Sequence, residues 1–370
     1  MLSHYLPPHV GGIEMVADAQ AVHLANGGHS VISLAYCPGA SSTIAERTIR
    51  HVAAWNGLER FGVPFPLYSP ALFWHTLRAV RGADVVHVHD CQYLTSLAGA
   101  LAARRFKKPL LVTQHVGLVQ HSSPIVMAVQ RLMHGTVGRY VIHRAHKIFV
   151  LNGTVKQFLR GLGAAESRIQ LLPNGVDTSL FKPAANRQEK LALRDRFGLP
   201  KDEVLVLFVG RQVTKKGFHL LLAAAQGMQY QLVCAGSKEP PKEGTKGAAV
   251  HHIGVLSKEK MADLYRACDV FALPSESEGF PLAAQEAMAS GLPIVLGADN
   301  GYAAYGLDER MVSFVQRDSE SVRLAITKLL QLPASEVQKI NRYGRDFAVS
   351  HFSWPGHIAA LTAAYEEAQQ

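Results

Sequence analysis

Two carboxylates, Glu278 and Glu286, lie eight residues apart, and Gly-Phe-Pro-Leu directly follows the first of them. A strand-like run precedes the pair, and a helix-forming stretch begins near Leu282. Backbone N–H groups at a helix start are unpaired and can bind an anion. Carboxylates accept hydrogen bonds but cannot donate them, so they suit vicinal hydroxyls rather than phosphate. The spacing therefore predicts a site in which two carboxylates flank a diphosphate, one on a ribose diol and one on a sugar diol.

Taken alone, the carboxylate pair is also compatible with a helix-capping Glu and an exposed helical Glu. Two cations in the same half of the chain favour the binding site. Arg211 and Lys216 follow a strand-like run in a loop that contains Gly210 and Gly217. Arg can bind phosphate oxygens in bidentate fashion, and Lys acts as a point charge. The alternative is that these are two solvated loop charges.

Eight short apolar runs must position these loops. They are rich in Val, Ile and Leu without strict alternation, which is typical of parallel strands buried on both faces. Helical patterns separate them, so the sequence predicts an α/β doubly wound architecture in two halves, with a boundary near Pro173. The runs occupy residues 31–36, 84–89, 109–114, 147–152, 204–210, 230–236, 269–275 and 292–297.

The composition is that of a globular chain long enough for two domains: 370 residues, 48% hydrophobic and 18% charged. The formal net charge of +9 fits nucleic acid, an anionic membrane or phosphorylated substrates as partners. The four cysteines form no C-x-x-C pair, which is usual for reduced intracellular proteins. No signal-peptide pattern and no apolar run of membrane-spanning length is found, so we expect a cytoplasmic protein.

The long motif CDVFALPSESEGFPLAAQEAMASGLPIV, together with the GR and KKG motifs upstream, resembles the retaining glycosyltransferases of family 4. The motifs PNGVD (173–177) and VVHVHD (85–90) are also similar to that family's. The resemblance implies the GT-B fold, in which two Rossmann-like doubly wound domains face each other across a cleft. It implies an acceptor-side domain over 1–173, a nucleotide-sugar-binding domain over 174–350, and a helix over 351–370 that packs back toward the first domain.

The resemblance also implies an activity. A sugar would move from a UDP-, GDP- or ADP-sugar to a hydroxyl of a sugar or lipid-linked acceptor, with retention at the anomeric carbon, in glycan, glycolipid or polysaccharide biosynthesis. No metal and no further cofactor is expected. The charge that develops on the leaving diphosphate would be stabilised by cations and helix-terminal amides. No carboxylate is placed as a covalent nucleophile.

By the same resemblance, each motif residue has an expected role. Glu286 would bind the ribose, Glu278 the transferred sugar, and Arg211 and Lys216 the diphosphate. The backbone near Phe280, Pro281 and Leu282 would lie beside sugar and phosphate. The catalytic candidates are His115, Arg211, Lys216 and Glu278, and the nucleotide-sugar-binding candidates are Gly11, Gly12, Phe280, Pro281, Leu282 and Glu286.

The first half contributes two further motifs. In HVGGIE, Gly11 and Gly12 open a helix where backbone can approach a phosphate closely, although a Gly-Gly pair alone is usually a turn. His115 ends a strand-like run, and in the family resembled a similar histidine lies near the reacting centre, whereas a strand-end His is more often structural. His87, His89 and Asp90 raise the alternative of a zinc site.

Two features of the first half concern its start and its acceptor side. Only ten residues precede the Gly-Gly loop, so we expect a first strand that is short or partly missing. Segment 55–82 concentrates aromatics and prolines, and segments 103–108 and 139–147 concentrate positive charge. Such a surface could rest on anionic lipid at the inner face of the cytoplasmic membrane, with a lipid-linked acceptor. The alternative is core aromatics and solvated helix charges.

Other functions compete with glycosyl transfer. A GT-B nucleotide-sugar epimerase would need an acid/base pair of carboxylates and no acceptor. A catalytically inactive nucleotide-sugar-binding protein is disfavoured because Glu278, Glu286, Arg211 and Lys216 are all present. Nucleic-acid binding is supported by charge alone, since no recognised motif is found, and no nucleic-acid partner is expected.

Overall fold

The computed structural model describes residues 1–7, 9, 12–36, 42–44, 47–57, 59, 65–119, 121, 123–240, 247–276, 280–307 and 309–370. The chain forms two compact units. The first comprises Met1–Asn174 and His357–Gln370, and the second comprises Gly175–Gly356. The chain first passes from one unit to the other after Asn174, one residue from the boundary predicted near Pro173. Gly11 and Glu278, both predicted site residues, lie outside the described residues.

The strands are β1 Leu2–Tyr5, β2 Val31–Tyr36, β3 Ser42–Ile44, β4 Arg47–His51, β5 Ala54–Trp55, β6 Leu67–Tyr68, β7 Val86–His89, β8 Leu110–Gln114, β9 Lys147–Val150, β10 Ile169–Leu171, β11 Val204–Val209, β12 Tyr230–Ala235, β13 Val250–Gly254, β14 Val270–Leu273, β15 Ile294–Gly297 and β16 Val312–Val315. The helices are α1 Gly12–Asn26, α2 Ala71–Arg81, α3 Leu94–Phe106, α4 Pro124–Met133, α5 Arg139–Arg144, α6 Gly153–Gly161, α7 Arg187–Arg196, α8 Phe218–Ala224, α9 Lys258–Ala267, α10 Leu282–Ala289, α11 Ser319–Gln331, α12 Ala334–Phe352 and α13 Trp354–Gln369. A π-helical turn, His134–Gly138, joins α4 to α5.

The first unit is built on an eight-stranded sheet in the order β10-β9-β8-β7-β1-β2-β4-β3. All neighbours are parallel except β3 and β4. The first strand is short, as expected, yet it is central: Leu2 pairs with Leu34 on one side and Val88 on the other. The strand order reverses between β1 and β7, and ligands of such sheets bind beyond the carboxyl ends of the strands at that point.

The second unit contains a six-stranded parallel sheet in the order β13-β12-β11-β14-β15-β16. Counted from its own first strand this is 3-2-1-4-5-6, the dinucleotide-binding order. Six residues of β11 pair in register with β12, and Val206 and Leu207 pair with β14 on the other side. The switch point therefore lies between the carboxyl ends of β11 and β14. The loop with Arg211 follows β11, and the loop with Phe280 follows β14.

The hydrophobic core explains why the eight predicted strands are found. Apolar residues of β7, β8 and β9 in the first unit, such as Val88, Val112 and Ile148, are fully buried between helices. Leu207 and Phe271 are equally buried in the second unit. None of the helices in the described part of the chain combines the length and the hydropathy that crossing a bilayer requires.

Candidate functional site

The two loops at the switch point of the second sheet are joined by their backbones. The N–H of Glu276 donates a hydrogen bond to the carbonyl of Lys215 at 2.8 Å. Gly217 has φ +74°, and a Cβ on it would lie 2.2 Å from the carbonyl oxygen of Pro274. Only glycine allows this approach. Arg317 adds a side-chain link, since its guanidinium contacts the carboxylate of Glu276 at 3.0 Å. The loop after β11 is thus held against the loop after β14.

The predicted diphosphate cations lie in the first of these loops. Arg211 directly follows Gly210, and its side chain is exposed. Lys216 ends a short 3-10 helix, Thr214–Lys216, and is half-buried. A Cβ on Gly210 would lie 3.8 Å from Cδ of Lys216, so the aliphatic part of this side chain runs close to the Gly210 backbone. Both cations therefore lie just beyond the carboxyl end of β11.

The second loop leads into α10 through Phe280 and Pro281. Phe280 is buried and packs on Tyr305 and Phe352, with ring centroids 4.8 and 5.2 Å apart. Pro281 is the N-cap residue, directly before α10, and its carbonyl accepts from the N–H of Ala284 at 2.9 Å. Helix α10 begins at Leu282, as the sequence predicted. The buried aromatic ring anchors the position of the helix start.

Glu286 lies one turn inside α10 and is partly exposed. The hydroxyl of Tyr265, from α9, is 3.1 Å from its Oε2 atom. Desolvation raises the pKa of Glu286 to about 7, although the Tyr265 hydroxyl and the positive charge of Lys258 both lower it. Vicinal hydroxyls would supply further hydrogen-bond donors to this carboxyl group.

Of the predicted first-unit residues, Gly12 and His115 are described. Gly12 is exposed at the first position of α1, and a Cβ there would meet nothing within 4 Å. His115 is buried directly after β8, where its backbone N–H donates to Oδ1 of Asp90 at 2.7 Å. Its Nε2 atom lies 3.1 Å from Nδ1 of His89. Burial is the main reason that the pKa of His115 falls to about 3, so the imidazole is neutral near pH 7.

One member of the alternative zinc trio, His87, is engaged in other contacts. Nδ1 of His87 lies 2.6 Å from the Tyr365 hydroxyl, and Nε2 lies 2.8 Å from the Thr113 hydroxyl. Both nitrogens of this ring therefore have partners other than a metal. Within the described ranges, no three His, Cys, Asp or Glu side chains converge in a way that could hold a metal ion.

Four residues carry no role from sequence reasoning: Tyr265 in the second unit, and His9, Glu14 and Glu59 in the first. Tyr265 orients Glu286, as described above. His9, two residues before Gly11, lies 3.1 Å from the buried carboxylate of Glu14 and 2.7 Å from Glu59. These contacts hold His9 beside Glu14 of α1 and beside Glu59. The only signal in the sequence is that His9 and Glu14 flank the Gly-Gly pair, whereas the contacts of Tyr265 and Glu59 are tertiary.

Comparison with known proteins covers nearly the whole chain. The family model described as Glycosyltransferase Family 4 matches residues 10–180, and that described as Glycosyl transferases group 1 matches residues 189–347. The D-inositol 3-phosphate glycosyltransferase of Xylanimonas cellulosilytica is 32% identical over 86% of this chain and 82% of its own. The enzyme of the same name from Mycobacteroides abscessus is 30% identical over 87% and 75%.

Solved structures share the fold. Sucrose-phosphate synthase from Thermosynechococcus elongatus superposes with a TM-score of 0.76 at 22% identity, covering 99% of this chain and 98% of that one. Anabaena HepE in complex with UDP gives a TM-score of 0.76 at 15% identity, covering 99% of both chains. At these identities the likeness establishes the architecture of the chain.

Proposed function

The chain belongs to glycosyltransferase family 4, and from that premise we propose that it moves a sugar, with retention, from a nucleoside diphosphate sugar to a hydroxyl acceptor. It is a glycosyltransferase of the GT-B fold. The donor class, the stereochemistry and the roles of individual residues are the content of the proposal.

The main support for the donor site is the backbone hydrogen bond between Glu276 and Lys215. It holds the loop bearing Arg211 and Lys216 against the loop that starts α10, at the switch point of a sheet with dinucleotide-binding order. Cations and unpaired helix-start amides at one place suit a diphosphate. Anabaena HepE, which shares the fold, was solved with UDP-glucose, which supports a sugar nucleotide as the ligand class.

The remaining donor contacts follow from the position of the diphosphate. Glu286, one turn into α10, would accept hydrogen bonds from the ribose diol, and Tyr265 holds its carboxylate in place. Glu278, which lies outside the described residues, would contact the transferred sugar. Phe280 packs the start of the helix against the core, and the N–H of Leu282 is available to the phosphate.

The reaction would break the bond between the anomeric carbon and the diphosphate oxygen while the acceptor oxygen bonds to the same face. The acceptor proton passes to the departing phosphate oxygen. Because negative charge develops on that leaving group, Arg211 and Lys216 stabilise the transition state more than the ground state. His115, neutral near pH 7, would contact the sugar through hydrogen bonding rather than transfer a proton.

The acceptor would bind to the first unit, at the carboxyl edge of its sheet near Gly12 and His115. The relatives that act on D-inositol 3-phosphate make an inositol phosphate one acceptor to test. A lipid-linked acceptor is supported by exposed apolar side chains. Helix α4 presents Ile125, Val129 and Leu132, 74%, 51% and 62% exposed, at the i, i+4 and i+7 spacing of one helix face.

Two aromatic residues of segment 55–82 are also exposed. Trp74 is 68% exposed and Trp55 54%, so the alternative that these aromatics form a core does not hold for them. A peripheral contact with an anionic membrane would bury such residues. The test is sedimentation with vesicles of anionic and of neutral lipid: Ile125→Ser/Leu132→Ser should reduce binding to anionic vesicles, and equal binding would contradict the contact.

The donor proposal is tested by thermal shift with UDP, GDP, ADP and their common sugar conjugates. A selective rise in melting temperature with one nucleotide supports it and identifies the base. The anomeric configuration of the product, read by NMR, tests retention. Conversion of the donor into an epimer without any acceptor would instead favour an epimerase, and binding without turnover would favour the inactive alternative.

Metal independence is part of the proposal. Lys and Arg side chains supply the positive charge that neutralises the diphosphate. Both ring nitrogens of His87 contact other side chains, those of Tyr365 and Thr113. We expect turnover in EDTA to stay within twofold of the untreated enzyme. Loss of activity in EDTA with recovery on adding zinc would contradict this.

A further inference from the structure

The positive charge of the chain is concentrated in one segment of the first unit. Residues 91–165 contain ten Lys and Arg and no Asp or Glu. The other 295 residues contain 28 Lys and Arg against 29 Asp and Glu, so they are close to neutral. The whole formal charge of +9 therefore comes from this acid-free segment, which runs from the end of β7 to the end of α6.

The fold gathers part of this segment around a cavity of about 650 Å³, which we call the basic cavity. Its charged lining comes from the C-terminal end of α3, from α5 and from the residues around them, and Asp84 is the one acidic side chain among its described lining residues. A second cavity of about 510 Å³ adjoins it, where Lys147 pairs with Glu367 at 2.9 Å. The basic residues of the basic cavity are Arg104, Lys107, Lys108, His143, Arg144 and His146.

Three helix ends at the cavity, those of α3, α5 and α13, do not account for this charge. Each helix C-terminus carries about half a negative charge, so the three together offset about one and a half cations, and Asp84 offsets another. Four Lys and Arg line the cavity, and about one and a half positive charges remain. Among the described residues, Arg104, Lys107, Lys108 and Arg144 form no ion pair with a carboxylate.

The geometry of the lining is fixed by local contacts. Lys107 holds φ +53° at the end of α3, a left-handed conformation where glycine is usual. The guanidinium of Arg144 lies 4.6 Å above the Tyr140 ring. Nδ1 of His146 accepts from the N–H of Leu110 at 3.1 Å, so in the neutral ring Nε2 carries the proton and is a donor. Donors are thus held in place around the cavity.

The cavity is separate from the candidate acceptor position in the same unit. It is lined by Pro109 and Leu110, at the amino end of β8, whereas His115 follows the carboxyl end of the same strand. A strand of five residues spans about 17 Å, so the cavity and His115 lie at opposite ends of the strands of this sheet. Its occupant is therefore not the acceptor hydroxyl of the proposed reaction.

We propose that the basic cavity binds a phosphomonoester dianion. A phosphomonoester carries about 1.5 to 2 negative charges near pH 7, which matches the unbalanced charge of the lining. The volume falls within the range of small-molecule sites, roughly 300–1,000 Å³. Arg104 and Arg144 supply planar donors for phosphate oxygens. The phosphomonoester comes either from a water-soluble sugar phosphate or from a lipid headgroup.

Titration calorimetry with glucose 6-phosphate, and with glucose as the uncharged control, tests the proposal. Arg104→Gln/Arg144→Gln should weaken glucose 6-phosphate binding at least tenfold. Lys339→Gln/Arg342→Gln removes the same charge from exposed positions of α12, outside the cavity and outside the proposed membrane surface, and should leave binding within twofold. Lys216→Ala should also bind normally, and this separates the cavity from the proposed diphosphate site.

Vesicle sedimentation distinguishes the two sources. Binding to phosphatidylcholine vesicles that contain 20 mol% phosphatidic acid, lost in Arg104→Gln/Arg144→Gln but not in the control double variant, identifies a lipid headgroup. Binding of glucose 6-phosphate with the same variant pattern identifies a soluble ligand. The proposal is overturned if neither probe binds, if the two double variants lose equal affinity, or if only Lys216→Ala loses it.

Discussion

The hydroxyl of Tyr265 lies 3.1 Å from Oε2 of Glu286 and 3.0 Å from the carbonyl oxygen of Ala283, so one fully buried ring joins α9 to the first turns of α10. The contact orients a carboxyl group whose pKa burial raises to about 7. Protonation of Glu286 therefore changes near physiological pH. If the carboxylate accepts the ribose hydroxyls, binding of the donor must favour its ionised form.

Donor affinity should accordingly depend on pH. We expect the affinity for the nucleoside diphosphate sugar to rise from pH 6 to pH 8 and to flatten above the pKa of Glu286. Glu286→Gln should weaken binding at least tenfold at pH 8 and abolish the pH dependence. Tyr265→Phe removes the hydroxyl that lowers this pKa and should move the midpoint to higher pH. Calorimetry at four pH values provides the measurement, and an unchanged affinity in Glu286→Gln would remove this residue from the ribose.

The same carboxyl group should also affect stability without ligand. Its pKa is raised in the folded state, so the folded chain binds the extra proton between about pH 4.5 and pH 7, and stability falls as pH rises through that window. Glu286→Gln removes this penalty. Urea unfolding at pH 8 should show Glu286→Gln more stable than wild type by on the order of 2 kcal/mol, which is less than the full pKa shift would give because the side chain is partly exposed. At pH 4 the variant and the wild type should be equally stable. A constant difference across pH would contradict the prediction.

The central strands could be predicted from sequence because they are buried on both faces and read as continuous apolar runs. The strands that were not predicted lie at or near the sheet edges. Strand β13, VHHIG, is half-buried along its length, and β4, RTIRH, is too. An edge strand buries less of its surface, so no apolar run marks it. The short β1 was foreseen because only ten residues precede the Gly-Gly loop.

The candidate site also contains features that the sequence predicts and features that it does not. The start of α10 at Leu282 was predictable from a helix-forming stretch after proline, since capping is a local property. The contact between Gly217 and Pro274 and the partnership of Tyr265 with Glu286 join residues 57 and 21 positions apart. Such contacts depend on how β11, β14 and α9 pack, and no spacing in the sequence encodes them.

Lys216 is expected to act on the leaving diphosphate. Lys216→Ala should lower kcat at least tenfold while the melting temperature stays within about 2 °C, because the half-buried side chain makes its main contribution in the transition state. Lys215→Ala is the matched control: it is an exposed neighbour whose backbone carbonyl, not its side chain, bonds Glu276. Steady-state kinetics of both variants decide the point. Equal losses, or near wild-type turnover in Lys216→Ala, would exclude a specific clamp.

His115 should contribute without titrating. Its pKa of about 3 leaves the ring neutral from pH 5 to pH 9, so it cannot produce a limb of the rate profile in that range. His115→Gln keeps a hydrogen-bonding side chain and should lower kcat/KM by about tenfold with an unchanged profile shape. The pH dependence of kcat/KM in wild type and variant provides the comparison. A limb near pH 6 that disappears in the variant would show that His115 transfers a proton after all.

Gly217 should be required for the join between the two loops. In Gly217→Ala the new Cβ meets the Pro274 carbonyl at 2.2 Å, so the loops must separate and Lys216 must move with them. Gly227→Ala is the matched control, since Gly227 has a similar φ of +70° but nothing within 4 Å of an added Cβ. The strain of a left-handed alanine, about 1 kcal/mol, is common to both variants. We therefore expect Gly227→Ala to lose only that stability and to keep its turnover, whereas Gly217→Ala loses at least tenfold in kcat. Urea unfolding and steady-state kinetics on the pair measure the difference, and similar turnover in the two variants would show that the contact with Pro274 does not position Lys216.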